Sequence, residues 1–191
     1  MKNISRIIIL TLFLLFRLAG AHGQEYSKSS LTYHIGIGAS NTGEPVGEGL
    51  VAGAGYQLNV WKDRLHFNPR LTLGYFDAAN YLDLPDGMFT SLNLETIFFF
   101  DLIRFKTLSL LVGAGGVVQK INGLVGTGGY ADPVTNSYYV HQWHYGVYVG
   151  CGISYYPKKS RFFFQIMPFN YRFLSNNRLD QYSNVGFGIK I

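Results

Sequence analysis

The chain has 191 residues, of which 16% are aromatic and only 14% charged, with 23 glycines and a formal net charge of +5. A soluble chain usually carries about 25% charged residues to wet its surface, so part of this surface is expected to meet something other than water. Cys151 is the single cysteine, which excludes an intrachain disulfide.

The first 23 residues read as a secretory signal. Lys2 and Arg6 precede an apolar run from Ile7 to Phe16, and Ala21-His22-Gly23 supplies a small-x-small cleavage site before Gln24. The run is too short to span a bilayer as a helix, which takes about 20 residues. Lys2, Arg6 and Arg17 would leave with this segment, so residues 24–191 keep 13 basic against 11 acidic side chains. That balance removes the main support for a nucleic-acid partner. Gln24 rather than a cysteine stands directly after the cleavage site, so a lipoprotein anchor is not expected.

Eight segments of period-two alternation follow, each with one apolar face. The first, Leu31 to Ser40, sets Tyr33, Ile35, Ile37 and Ala39 against His34, Gly36 and Gly38. Gly49 to Trp61 sets Leu50, Ala52, Ala54, Tyr56, Leu58 and Val60 against Gly53, Gly55, Gln57 and Asn59. From Leu65 to Tyr75 the alternation is unbroken, with Leu71, Leu73 and Tyr75 interleaving with Arg70, Thr72 and Gly74. Phe89 to Phe100 and Leu108 to Gln119 form the fourth and fifth strands. The sixth, Tyr139 to Tyr156, sets Trp143, Tyr145, Val147, Val149 and Cys151 against His144, Gly146 and Gly150. Arg161 to Phe173 is aromatic on both faces, so its phase stays open; Tyr182 to Ile191 completes the set. Pro69 and Pro168 each remove a ladder donor and predict local bulges.

Connections alternate in length. Residues 62–64, 101–106 and 157–160 are short, whereas the other four connections are mostly longer and hold Asp77, Asp83, Asp86, Asp132 and Asp180. An even strand count with tight turns at one end and longer loops at the other predicts an all-β, eight-stranded antiparallel up-and-down transmembrane barrel with both termini in the periplasm. A soluble secreted lipocalin-like barrel is the rival, since it alternates too with its apolar face inward. The polar face here, rich in Gly, Ser, Asn and Thr, suits a cramped lumen better than a solvated exterior. Trp61, Phe100, Tyr155 and Phe162 at one rim, and Tyr75, Phe89, Trp143 and Tyr182 at the other, suit interfacial girdles.

Across residues 24–191 the pattern resembles the small OmpA/OmpX-type outer-membrane barrels. That resemblance implies residence in a Gram-negative outer membrane among phospholipid and lipopolysaccharide, and insertion by the barrel-assembly machinery, which reads the last strand. Phe187 shares the outward phase of that strand, although the chain ends in Ile191 rather than an aromatic. It implies no cofactor and no specific task, so a non-enzymatic structural or surface-interaction role through the loops is the leading expectation, with a narrow solute channel as an alternative.

Residues that could carry chemistry are few. His141 and His144, three apart on one strand, fall on opposite faces and cannot clasp one metal ion without a bulge. His34, His66 and His144 point inward as luminal polar groups. If the third and fourth strands pair Leu71 with Leu94 and Phe67 with Phe98, inward Arg70 falls opposite Glu95 as a luminal ion pair, structural or gating. The stretch Arg172-Phe173-Leu174-Ser175-Asn176 is similar to the His-x-Ser-Asn motif of PagL-like lipid A deacylases, but Phe173 stands at the histidine position and leaves Ser175 no base within the motif.

Overall fold

In a computed structural model, residues 28–42, 46–61, 64–78, 87–126, 137–157 and 160–191 are described. The expected signal, with Lys62 and the connections at 79–86 and 127–136 that hold Asp83, Asp86 and Asp132, lies outside them. Eight strands, β1 (Ser29–Thr42), β2 (Gly47–Trp61), β3 (Leu65–Ala78), β4 (Gly87–Phe105), β5 (Leu108–Gly126), β6 (Ser137–Tyr155), β7 (Phe162–Leu174) and β8 (Arg178–Lys190), form one closed barrel in chain order. Every neighbour is antiparallel, and β8 returns to pair with β1. Closure leaves no unpaired edge, which backbone in hydrocarbon requires.

The polarity of this barrel is inside out relative to a water-soluble one. Ile35, Ile37, Leu73 and Val147 stand outward and exposed, while Thr72, Asn93, Glu95, Gln119 and Arg172 are buried in the lumen. A lipocalin-like barrel would bury the first set and expose the second, so the soluble rival is overturned. A contiguous apolar exterior of this kind is the surface of a membrane barrel. The narrow lumen needs glycine where a large side chain crosses it. A Cβ on Gly188 would enter the Phe163 ring, and one on Gly113 the Phe99 ring.

Several sequence expectations change. Trp61, Tyr75, Trp143 and Tyr155 face outward and exposed, but Phe89 and Tyr182 are buried in the lumen, because the strands extend past them and their parity is the inward one. The connection expected at 101–106 shrinks to Lys106 and Thr107. Asp101 instead lies within β4 and is buried, beside a register shift between Asp101 and Ile103. The β7–β8 connection is not a longer loop but a tight turn at 175–177, in which Asn176 and Asn177 both take positive φ. Asp180 accordingly belongs to β8 and the lumen, while Asp77 ends β3 exposed on the outer side. Pro69 causes no register shift: Gly55 opposite Arg70 and Leu58 opposite Phe67 keep one register on either side of it. Pro168 does, since the β7–β8 register slips between Met167 and Asn170. This bulge flips the parity of β7, so Phe163 and Met167 point inward below it and Asn170, Arg172 and Leu174 above it.

Candidate functional site

Side chains from five strands, β3, β4, β6, β7 and β8, converge midway up the lumen. The β3–β4 register sets Leu71 opposite Leu94, Phe67 opposite Phe98 and Arg70 opposite Glu95. Arg70 Nε donates to Glu95 Oε2 at 2.5 Å, and from across the barrel Arg172 Nε donates to Glu95 Oε1 at 2.7 Å, with Arg172 Nη2 in ion-pair contact with the same oxygen at 2.5 Å. One carboxylate is thus clamped by two guanidinium groups, all buried.

Two tyrosines hold the excess positive charge. Arg70 Nη2 donates to Tyr182 Oη at 2.6 Å, and the Arg172 guanidinium lies 4.2 Å from the centroid of the same ring. Arg70 also lies 5.0 Å from the Tyr148 ring centroid. Negative ring faces attract guanidinium charge, the more so in a buried site. Tyr148 Oη donates to Asn170 Oδ1 at 2.5 Å, and Asn170 Nδ2 donates to the carbonyls of Met167 at 2.7 Å and Tyr182 at 3.0 Å. The side chain that the Pro168 bulge turns inward therefore satisfies a carbonyl that the bulge takes out of the ladder.

Smaller polar layers lie above and below. On the longer-loop side, Gln119 Nε2 donates to Asn93 Oδ1 (2.8 Å) and Asp180 Oδ2 (2.6 Å), and Arg178 bridges to Asp180 at 3.0 Å while lying over the Phe89 ring. On the short-turn side, Asp101 receives Arg104 and stands 3.4 Å from His66 Nε2, with His66 Nδ1 against Asn59 Oδ1 at 2.5 Å. His34 sits higher than His66, its Nε2 3.2 Å from Thr72 Oγ1. With the Arg70–Glu95–Arg172 cluster between them, these layers fill much of the lumen with buried polar side chains.

The remaining chemical candidates separate. His141 faces outward and pairs with Asn122 at 2.6 Å, while His144 is buried on the opposite face. Phe173 faces outward, but His144 of β6 comes within 3.5 Å of Ser175 Oγ from the neighbouring strand. The same His144 Nδ1 lies 3.2 Å from the Ser175 carbonyl. A nitrogen that donates its proton to that carbonyl has no lone pair for the hydroxyl, and in that tautomer the contact clasps the β7–β8 hairpin to β6.

Alternation alone hides Arg172, because the phase of β7 changes along its length, whereas Tyr148, Tyr182 and Asp180 share the inward parity of their strands. The available signal was Pro168: moving the parity of β7 by one residue there puts Arg172 on Glu95's side of the wall.

No protein-family model and no curated protein matches the chain. Solved structures do. The crystal structure of Neisserial surface protein A is similar over 88% of this chain and 100% of its own, with a TM-score of 0.60 at 13% identity. That of Ail, the attachment invasion locus protein of Yersinia pestis, is similar over 86% and 98%, with a TM-score of 0.52 at 13% identity. A complex of Ail with the heparin analogue sucrose octasulfate gives 0.50 at 15% identity, over 85% and 98%. The fold is that of the small eight-stranded outer-membrane β-barrels.

Proposed function

We propose that the chain is a non-enzymatic protein of the Gram-negative outer membrane, secreted through the signal at 1–23, inserted by the barrel-assembly machinery, and acting as a structural or surface-interaction protein through its longer connections. One observation carries this reading: Arg70, Glu95 and Arg172 meet in a buried cluster across the lumen while the exterior is apolar, which favours the loop end as the part available to partners. Passage of solute would require two guanidinium groups to leave a buried carboxylate together, so the channel reading is the weaker one. The contact geometry of Ser175 and His144 speaks against the deacylase reading.

The complex of Ail with a heparin analogue does not transfer to this chain. The connections at 79–86 and 127–136 contain Asp83, Asp86 and Asp132 and no Lys or Arg, so a polyanion would be repelled. A neutral or cationic surface partner fits better. The test is fractionation of the envelope with gels run boiled and unboiled, followed by deletion of residues 127–136. Recovery in the outer membrane with faster unboiled migration, altered adhesion or envelope integrity in the deletion, and an unchanged lipid A mass spectrum are expected. A changed lipid A spectrum on removing the protein would reverse the non-enzymatic reading.

A further inference from the structure

Closure pairs every strand through the hydrocarbon, but β6 outruns its neighbour on one side. Its register with β5 runs unbroken to Gly126 opposite Ser137, whereas its register with β7 stops at Gly146 opposite Leu174, where the tight turn begins. The Ser175 amide donates to the Tyr145 carbonyl at 2.9 Å as the last rung on that side. Among the described residues no strand lies against the other side of Ser137–His144, about 26 Å of chain at ~3.3 Å per residue.

Main-chain direction alternates along a strand, so the bond at Tyr145 fixes the direction of the rest. Trp143, His141 and Tyr139 aim their N–H and C=O groups at the open side, whereas Val140, Gln142 and His144 aim theirs at β5. An unpaired edge is a template for a further strand, and edges that stay free are commonly blunted by Lys or Pro. Ser137–His144 contains neither, and no Arg, Asp or Glu. The edge also stands at the level where bilayer gives way to water. Lys120, outward on β5 opposite Trp143, holds its ammonium 5.5 Å from the centroid of that ring, and exposed His141 meets Asn122 at 2.6 Å. Aromatic and polar groups mix in this way at a membrane–water interface.

We infer that the open edge of β6 is a docking site for an extended, basic segment of a partner protein, which adds a strand beside Ser137–His144 and bonds to the main chain of Tyr139, His141 and Trp143. The site rests on the surface-interaction reading above and moves that role from the loops to a strand edge. An extended polypeptide carries alternating donors and acceptors at the repeat this edge presents, and its side chains can lie against the exposed rings of Tyr139 and Trp143. A second copy of the chain does not fit. Antiparallel pairing of two identical edges needs a two-fold axis perpendicular to the shared sheet, which turns the second barrel upside down in the membrane. Parallel pairing puts the axis along strands tilted by about 35–45°, so the two barrels would cross at roughly 70–90°. Barrels on two opposing cells are free of that limit, but they would bring like charges together. This end carries exposed Glu48 and Asp77, and its connections hold Asp83, Asp86 and Asp132. The same acidic surroundings favour lysine or arginine on the incoming strand.

The experiment is residue-resolved amide exchange by NMR on the refolded full barrel in zwitterionic nanodiscs, with a short synthetic peptide of alternating lysine and valine as the probe. In the free barrel the amides of Tyr139, His141 and Trp143 should exchange fast, while those of Val140, Gln142 and His144 are slow. The peptide should slow the first three by roughly tenfold, the scale of one or two backbone hydrogen bonds. Twins of the peptide with an N-methylated backbone, or with glutamate in place of lysine, should lose that effect. His141→Pro removes an edge donor and leaves the β5 ladder intact, so it should keep heat-modifiable migration and lose the peptide; Trp143→Pro replaces it if it does not fold. Slow exchange of the three amides in the free barrel would mean that the chain's own connections cover the edge, and would overturn the site. So would a lysine peptide that slows nothing, or equal slowing by the N-methylated twin or in the proline variant. Equal slowing by the glutamate twin would overturn the basic partner. A wild type that never shows the heat shift would bring down the membrane reading instead.

Discussion

Glu95 decides the energetics of the lumen because it is the carboxylate between Arg70 and Arg172, and it is fully buried. Glu95→Gln keeps the shape but leaves two guanidinium groups facing each other without an anion. Breaking a buried ion pair from one side costs about 3–5 kcal/mol, since the remaining charge stays desolvated. Urea unfolding of the barrel in phospholipid vesicles, followed by unboiled gel mobility, should show a loss of that order. The triple change Arg70→Met/Glu95→Leu/Arg172→Met removes all three charges together and should recover most of it. If Glu95→Gln unfolds like wild type, the three side chains do not form the clamp.

The two ends of β7 show how single elements carry the fold. At its middle the Pro168 carbonyl leaves the ladder on the lipid side and accepts a hydrogen bond from Ser183 Oγ at 2.6 Å. Ser183→Ala strands that carbonyl where no water can replace the donor, so a loss of about 1–3 kcal/mol is expected. The same unfolding assay reads it, and Ser183→Thr should be far milder. At its outer end Asn176 and Asn177 have φ of 60° and 56°, the left-handed region in which Asn is favoured and β-branched residues are not. Asn177→Val should cost roughly 1–2 kcal/mol, and Asn177→Gly little or nothing; refolding yield and midpoint would check both. Strand-level alternation was legible in the sequence wherever parity runs uninterrupted, which is why β3 and β4 could be set side by side with Arg70 opposite Glu95. It fails where an irregularity changes parity, since Arg172 lies beyond the Pro168 bulge, and where charge suggests a turn, since Asp101 continues the inward parity of β4 to the edge of its register shift. Asp180 reads as a loop residue in the sequence because two asparagines turn the chain more tightly than their polar surroundings suggest.

At the scale of the whole molecule, an apolar outside and a lumen of buried polar side chains leave orientation as the property that gives the ends different meanings. The sequence distributes protease sites unequally between them. The three connections at the longer-loop end, 43–46, 79–86 and 127–136, contain no Lys or Arg, and Arg178 beside the tight β7–β8 turn is buried. The opposite end carries exposed Lys106, in a two-residue turn with φ of 52°, and exposed Arg161. Exposed turns are where proteases cut, whereas paired strands are protected by their hydrogen bonds. Trypsin added to intact cells should therefore leave the barrel whole. Added after the outer membrane is permeabilised, it should cut at the short-turn end, and fragment masses should end at Lys106 or Arg161. A protease that does not need basic residues should instead cut from outside, within 79–86 or 127–136. Tryptic fragments from intact cells would mean that the short turns face outward, and the acidic connections would then lie in the periplasm.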